Sequence, residues 1–248
     1  MVDLLENDKK TMTDESQRTA ARVVGVTYPL IFVIITIAFS RFYAPLLVWN
    51  DRAHTARNIG AHPQTFYTYI ALALVYGIGL VILVAALYVI LRPIGRGLAL
   101  FAALSRLTYA FLWFITLLDY FAASRAMSDA GYLHVFEPES LQALAALRLA
   151  SAWDSYYIGL TFYGLGTMFF SYLWLKSRYI PRLLAASGIV ASFFVGVCAF
   201  AYLVFPAFGN TVSPSWYEIP IAIFELVTSF WLLARGLGPV TLKKAELP

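Results

Sequence analysis

The chain of 248 residues is 60% hydrophobic and only 13% charged, with a net charge of +4. Soluble globular domains carry roughly a quarter charged residues, so this composition excludes an ordinary water-soluble domain. The single Cys excludes a disulfide framework.

Six apolar stretches are long enough to cross a bilayer as helices, which takes roughly 20 residues each. They cover residues 23–48, 66–91, 98–123, 152–175, 183–205 and 217–237. Each is a continuous run, unlike the alternating segments of membrane β-barrels, and helices satisfy their own backbone hydrogen bonds. The sequence therefore predicts an all-α, polytopic transmembrane bundle of six helices within residues 21–238.

Two polar tails flank the predicted bundle. Residues 1–20 contain no apolar core, so we interpret them as a disordered tail and not as a cleavable signal peptide. Residues 239–248 form the second tail. Lys and Arg gather near both ends of the chain and in the turns after the second and fourth stretches, which predicts cytoplasmic N and C termini.

The longest connection, residues 124–151, carries a helix signal of its own. Pro138 followed by Glu139 is typical of a first helical turn, and Leu141, Leu144 and Ala145 recur at helical spacing. We expect an extra outer helix before the fourth span. It either lies at the membrane interface or continues into that span.

A pair of opposite charges falls near the middle of two spans. A charge inside a span costs roughly 2.5–3.5 kcal/mol to insert, so it indicates a partner or a function. At 1.5 Å per residue, Arg106 and Glu225 differ in depth by about 6 Å, which an Arg side chain can bridge. The pair either fixes helix register or leaves Glu225 as a protonatable acid in a polar cavity.

Three further charges lie close to the outer surface. Asp119 and Asp154 lie at the outer ends of consecutive spans, at a similar depth. Arg41 lies in the outer part of the first span. The two carboxylates could serve as an acid/base pair, as a cation site or as solvated rim charges.

Small residues at four-residue spacing indicate close helix contacts in the fourth and fifth spans. Gly159 lies in the fourth span, and Gly188, Ser192 and Gly196 form a stripe along the fifth. The stripe packs either inside the bundle or against a second copy of the chain.

Several kinds of site are missing from the sequence. The three His residues all fall between apolar stretches, and no Lys lies inside one, which excludes a helix-borne haem or zinc site and a retinal-type Schiff base. The chain also lacks a phosphate-binding glycine loop and a hydrolase nucleophile elbow. We expect no metal, no cofactor and no nucleic-acid partner.

Several spaced motifs resemble those of one family. They are residues 21–28 (ARVVGVTY), 91–93 (LRP), 158–166 (IGLTFYGLG), 172–184 (YLWLKSRYIPRLL) and 220–236 (PIAIFELVTSFWLLARG). Together they resemble the bacterial six-helix family known as domain of unknown function 4386. The resemblance covers about residues 20–237 and implies a multi-pass protein of the bacterial inner membrane, with Glu225 at the acidic position of the last motif. It implies no activity.

The residues favour a protein that binds or transports a small molecule or lipid around a polar pocket at Arg106 and Glu225. Two alternatives stay open. One is an accessory or assembly subunit of a larger membrane complex, with a membrane-protein partner or a homodimer. The other is an intramembrane enzyme that uses Asp119 and Asp154. Membrane lipids are expected partners throughout.

Overall fold

The structure is a computed structural model that describes residues 2–205 and 207–238, and every described element is helical. The helices are α1 (Val2–Ala38, extended by a π-helix at Phe39–Tyr43), α2 (Arg52–Ala61), α3 (Pro63–Leu91), α4 (Arg96–Ala126), α5 (Pro138–Ser177), α6 (Arg182–Val204), α7 (Phe208–Thr211) and α8 (Ser215–Arg235). A 3₁₀ turn at Gly131–Leu133 interrupts the connection from α4 to α5. The predicted all-α class is confirmed.

Six of these helices are long and apolar enough to cross a membrane. The candidate spans are Glu15–Tyr43, Pro63–Leu91, Arg96–Ala126, Pro138–Ser177, Arg182–Val204 and Trp216–Arg235. Each overlaps one of the six predicted stretches, which confirms the multi-pass bundle. Large apolar side chains such as Leu30, Leu74 and Leu118 are exposed on its outer surface, as lipid contact requires.

The first span starts earlier than its apolar stretch suggests. Helix α1 includes residues 2–20, the segment expected to form a tail. Gln17 is buried, and its Nε2 donates to the carbonyl oxygen of Ile90 at 2.9 Å. This bond ties α1 to the end of α3, so the packed part of α1 begins before residue 21. The predicted tail of residues 239–248 lies outside the described residues.

The outer helix predicted before the fourth span continues into that span. Helix α5 runs unbroken for 40 residues, about 60 Å at 1.5 Å per residue. Pro138 occupies its first turn, as predicted. Helix α2 was not predicted, because its ten residues are largely polar. It starts where the Asp51 carboxylate accepts a hydrogen bond from the His54 backbone N–H at 2.8 Å.

The six spanning helices close into a ring. Consecutive spans pack side by side in the order α1, α3, α4, α5 and α6, and α8 closes the ring by contacting both α6 and α1. We call the end near Glu15 and Arg235 the terminal end, and the opposite end, covered by α2, the distal end. Side chains that point inward from the ring meet near its axis.

The small residues hold α5, α6 and α8 close together. A Cβ at Gly164 of α5 would lie 2.7 Å from the Ser192 carbonyl oxygen and 2.9 Å from Cα of Gly196. A Cβ at Gly188 would lie 2.5 Å from the Phe224 ring. The stripe in α6 therefore faces other helices of the same chain. Gly159 performs a similar role on α5, where a Cβ would lie 3.0 Å from the Tyr109 ring.

Substitution of Gly164 by Ala should lower the free energy of unfolding of the detergent-solubilised protein by about 1–3 kcal/mol, because the added methyl group forces α5 away from α6. Gly97→Ala is the matched control, since nothing lies within 4 Å of a Cβ there. That control should be neutral or gain up to about 1 kcal/mol from helix propensity. Thermal unfolding followed by circular dichroism measures both, and equal midpoints would contradict the packing described.

Candidate functional site

Arg106 is the most deeply buried charge in the described part of the chain, with 1% of its surface exposed. Its Nη1 atom donates to Glu225 Oε1 at 2.9 Å and to Thr167 Oγ1 at 2.6 Å. Its Nη2 atom lies 3.5 Å from the Tyr28 hydroxyl, and its Cζ atom lies 4.1 Å from the centre of the Tyr163 ring. Helices α1, α4, α5 and α8 thus supply one cluster around a guanidinium.

A glycine lets the backbone of α5 pass directly beside Arg106. A Cβ at Gly166 would lie 2.8 Å from both the Ala102 carbonyl oxygen and Cγ of Arg106. The backbones of α4 and α5 are therefore in close contact where the Arg106 side chain leaves α4. This approach brings Tyr163 and Thr167, one turn apart on α5, within reach of the charge.

Two carboxylates lie on one face of α8. Glu218 and Glu225 are seven residues apart, which places them on the same side of the helix and about 10 Å apart along it. Glu225 is neutralised by Arg106. Glu218 Oε1 accepts a 2.6 Å hydrogen bond from the Tyr156 hydroxyl, and no Lys, Arg or His among the described residues forms an ion pair with it.

A cavity of about 180 Å³ connects the two carboxylates inside the ring. Its wall is mostly aromatic and aliphatic, and Glu218 and Glu225 line it together with the rings of Tyr76, Tyr109 and Trp113. On the terminal side of Glu225, a separate cavity holds only about 10 Å³. Glu225, which pairs with Arg106, therefore lines the end of the larger space that faces the terminal end.

A second cavity of about 500 Å³ adjoins the first on its distal side. The two share the residues Phe32, Ile35, Trp113, Tyr156, Glu218, Ala222 and Leu226. Its rim includes apolar side chains that are exposed on the bundle surface, Phe32 of α1 and Ile219 and Ile223 of α8. The larger cavity therefore opens between α1 and α8, on the side where lipid would lie.

Irregular backbone occurs in both helices that flank this opening. The π-helix at Phe39–Tyr43 ends the first span and places Phe39, Ser40 and Tyr43 on the cavity wall. Pro220 lies inside α8 and provides no N–H for the carbonyl of Trp216. Tyr43 is buried, and its hydroxyl has no hydrogen-bond partner among the described residues.

The other predicted site residues lie outside these cavities. Asp119 accepts a 3.3 Å hydrogen bond from Nη1 of Arg148, whose side chain is half-exposed. Asp154 is exposed on α5, and Arg41 is exposed in the π-helix. The structure thus gives Asp119 and Asp154 different surroundings, whereas it brings Arg106 and Glu225 into direct contact.

Glu218 is the residue that sequence reasoning missed. It lies near the distal end of the sixth span, where a charge ordinarily reaches water and attracts no attention. The available signal was its seven-residue spacing from Glu225, which puts both acids on one helix face.

Breaking the buried Arg106–Glu225 ion pair should lower the free energy of unfolding more than breaking the partly exposed Arg148–Asp119 pair. We expect Arg106→Met and Glu225→Gln each to lower the free energy of unfolding by about 3 kcal/mol, because each leaves one buried group without its partner. The double variant should lose clearly less than the sum of the two. Arg148→Met, which removes the exposed partner of Asp119, should change stability by less than about 1 kcal/mol. Denaturant titration provides the values, and strictly additive losses would disprove the coupling.

A hydrophobic carbodiimide, which attacks protonated carboxyl groups inside membranes, should modify Glu218 and spare Glu225. The reason is that Glu225 forms an ion pair with Arg106, while the hydrogen-bond partner of Glu218 is a tyrosine hydroxyl. Modification of Glu218 should decrease as the pH rises and the acid ionises. Mass spectrometry of the adducts locates the label, and an adduct mainly on Glu225 would contradict the charge assignment.

Comparison with known proteins identifies the family of the chain but assigns it no activity. The model of one family, described as a domain of unknown function (DUF4386), matches residues 23–236. No curated protein and no solved structure matches the chain. The match includes all six spanning helices for most of their length, together with Arg106, Glu218 and Glu225. The chain therefore belongs to the DUF4386 family of multi-pass membrane proteins.

Proposed function

We propose that this integral membrane protein binds a small membrane-soluble molecule in the aromatic cavity between α1, α4, α5 and α8. The observation that carries the proposal is the pair of adjoining cavities, of about 180 and 500 Å³, which share Glu218, while Glu225 lines the smaller one. Ligand pockets of this size are mostly apolar and contain a few polar groups that orient the ligand.

The polar groups of the cavity are few and lie at different depths. Glu218 lines both cavities, and the buried Tyr43 hydroxyl lacks a partner in the larger one among the described residues. A ligand can thus place a polar group at Glu218 and apolar parts among the rings of Tyr69, Trp113 and Tyr120. The opening between α1 and α8 gives it a route from the lipid phase.

Binding is better supported than an open transport path. On the terminal side of Glu225, the adjoining cavity is about 10 Å³, which is too small for a ligand. Passage to the terminal end would require the side chains around Glu225 to move. We therefore propose transport only as a second step that follows binding. The exposed Asp154 and the Arg148-paired Asp119 give no comparable support to an enzyme.

We further propose that the bundle lies in a bacterial inner membrane with both termini in the cytoplasm. Six spans put both ends of the bundle on one side of the membrane. Arg18, Arg22, Lys176, Arg178 and Arg235 lie at that end, and basic residues favour the cytoplasmic side.

Filling the cavity should prevent ligand binding without unfolding the protein. Ala222 lines both cavities, so Ala222→Phe places a ring where the two meet. Ala71→Phe adds the same bulk to an exposed position of α3 and is the matched control. We expect at least a fivefold loss of labelling by a diazirine-bearing octadecanol in the first variant and none in the second.

The labelled peptides of α1 and α8 are quantified by mass spectrometry after irradiation in lipid nanodiscs. Unchanged labelling of these peptides in Ala222→Phe would show that the probe contacts only the outer surface. That result would overturn the proposed cavity function.

A further inference from the structure

We propose that the ligand of this cavity is a lipophilic organic cation and that Glu218 is its counter-ion. The inference rests on the proposed function and specifies the chemistry of the same site. It follows from the charges, the hydrogen bonds and the aromatic rings that surround Glu218.

One of the two carboxylates that line the cavity has no basic side chain as a partner among the described residues. Arg106 and Glu225 neutralise each other at 2.9 Å. Glu218 faces no cation among the described residues. The titratable groups around the smaller cavity and Glu218 are Tyr28 on α1, Tyr76 on α3, Tyr109 on α4, Tyr156, Tyr157 and Tyr163 on α5, and Tyr217 and Glu225 on α8. Tyr43, Tyr69 and Tyr120 line the larger cavity, and α6 contributes the apolar Val195.

The hydrogen-bond donors near Glu218 are already occupied. The Tyr156 hydroxyl donates to Glu218 itself, and Trp113 Nε1 donates to the carbonyl oxygen of Ala73 at 2.9 Å. Of the hydroxyls of Tyr76 and Tyr109, which lie 3.3 Å apart, one donates to the other. Close to Glu218 the walls therefore present a carboxylate and aromatic rings, and the unpartnered Tyr43 hydroxyl lies farther away, in the larger cavity. Carboxylates and aromatic rings together attract organic cations.

The size and lining of the cavity distinguish an organic cation from a metal ion. The larger cavity beside Glu218 is lined mainly by apolar and aromatic side chains, which suit hydrocarbon substituents. A small inorganic cation would need several oxygen ligands in place of its water shell. Of the two carboxylates that line the cavities, Glu218 is the one without a basic partner among the described residues.

Binding of the cation is an exchange with a proton. A carboxyl group within an apolar surrounding is held neutral when no cation neutralises it. In the proposed exchange, a proton leaves the Glu218 carboxyl group as the organic cation binds beside it. Each cation that enters displaces one proton, which leaves the net charge of the cavity unchanged.

Tetraphenylphosphonium and tetraphenylborate test this inference because they share size and shape and carry opposite charges. The full chain is placed in nanodiscs, and binding of each labelled ion is measured by equilibrium dialysis against empty nanodiscs of the same lipids. We expect saturable binding of the phosphonium and no saturable binding of the borate. The phosphonium affinity should fall by up to tenfold for each unit of pH decrease in the range where Glu218 is protonated.

Glu218→Gln should weaken phosphonium binding at least tenfold and remove its pH dependence. Asp154→Asn removes the same charge from an exposed position and should leave the affinity unchanged. Saturable borate binding, or a phosphonium affinity that Glu218→Gln leaves intact, would overturn the inference. The comparison of the two ions and the pH series use the wild-type chain, so they stand even where a variant misfolds.

The two proposals fail in different ways. If Ala222→Phe blocks labelling by the octadecanol probe while Glu218→Gln leaves the phosphonium affinity unchanged, the proposed cavity function stands and the proposed cationic ligand is wrong. If neither probe reaches the cavity in the wild-type chain, both proposals are wrong.

Discussion

The arrangement of the bundle depends on one buried guanidinium. Arg106 lies near the axis of a ring of helices, where an unpaired charge would cost several kcal/mol. It is accommodated by a carboxylate and a hydroxyl on two other helices and by an aromatic ring. These contacts require α4, α5 and α8 to have one relative depth and rotation, and Gly166 provides the close approach. The pair therefore fixes which faces of these helices point inward.

The same constraint gives two glutamates on one helix different chemistry. Glu225 forms a 2.9 Å ion pair with Arg106 and belongs to the scaffold. Glu218, two turns away on the same face, meets a tyrosine hydroxyl and aromatic rings. A scaffold that uses one acid to neutralise its buried base leaves the other available to a ligand. The two acids differ in role because their partners differ, a guanidinium for Glu225 and a hydroxyl for Glu218, more than because of their depth in the membrane.

The cavity owes its shape to departures from regular helix packing. On the terminal side, glycines bring α5 against α4 and α6 with little space between them. On the distal side, the π-helix of α1 and Pro220 of α8 interrupt regular backbone hydrogen bonding. The ring is consequently closed at the ion pair and open between α1 and α8. Helix α2 and the long α5 cover the distal ends of the spans with a second apolar core.

The sequence by itself determined the six spans, the all-α class and the costly charges at Arg106 and Glu225. Membrane insertion depends on the apolar content of about 20 consecutive residues, which is a local property. Only the tertiary structure decided that Arg106 contacts Glu225 and that Arg148, not Asp154, lies beside Asp119. It also decided that Glu218 faces a cavity. Such contacts join residues far apart in the chain, and they depend on how each helix is rotated about its own axis. The hydrophobicity of a span does not determine that rotation.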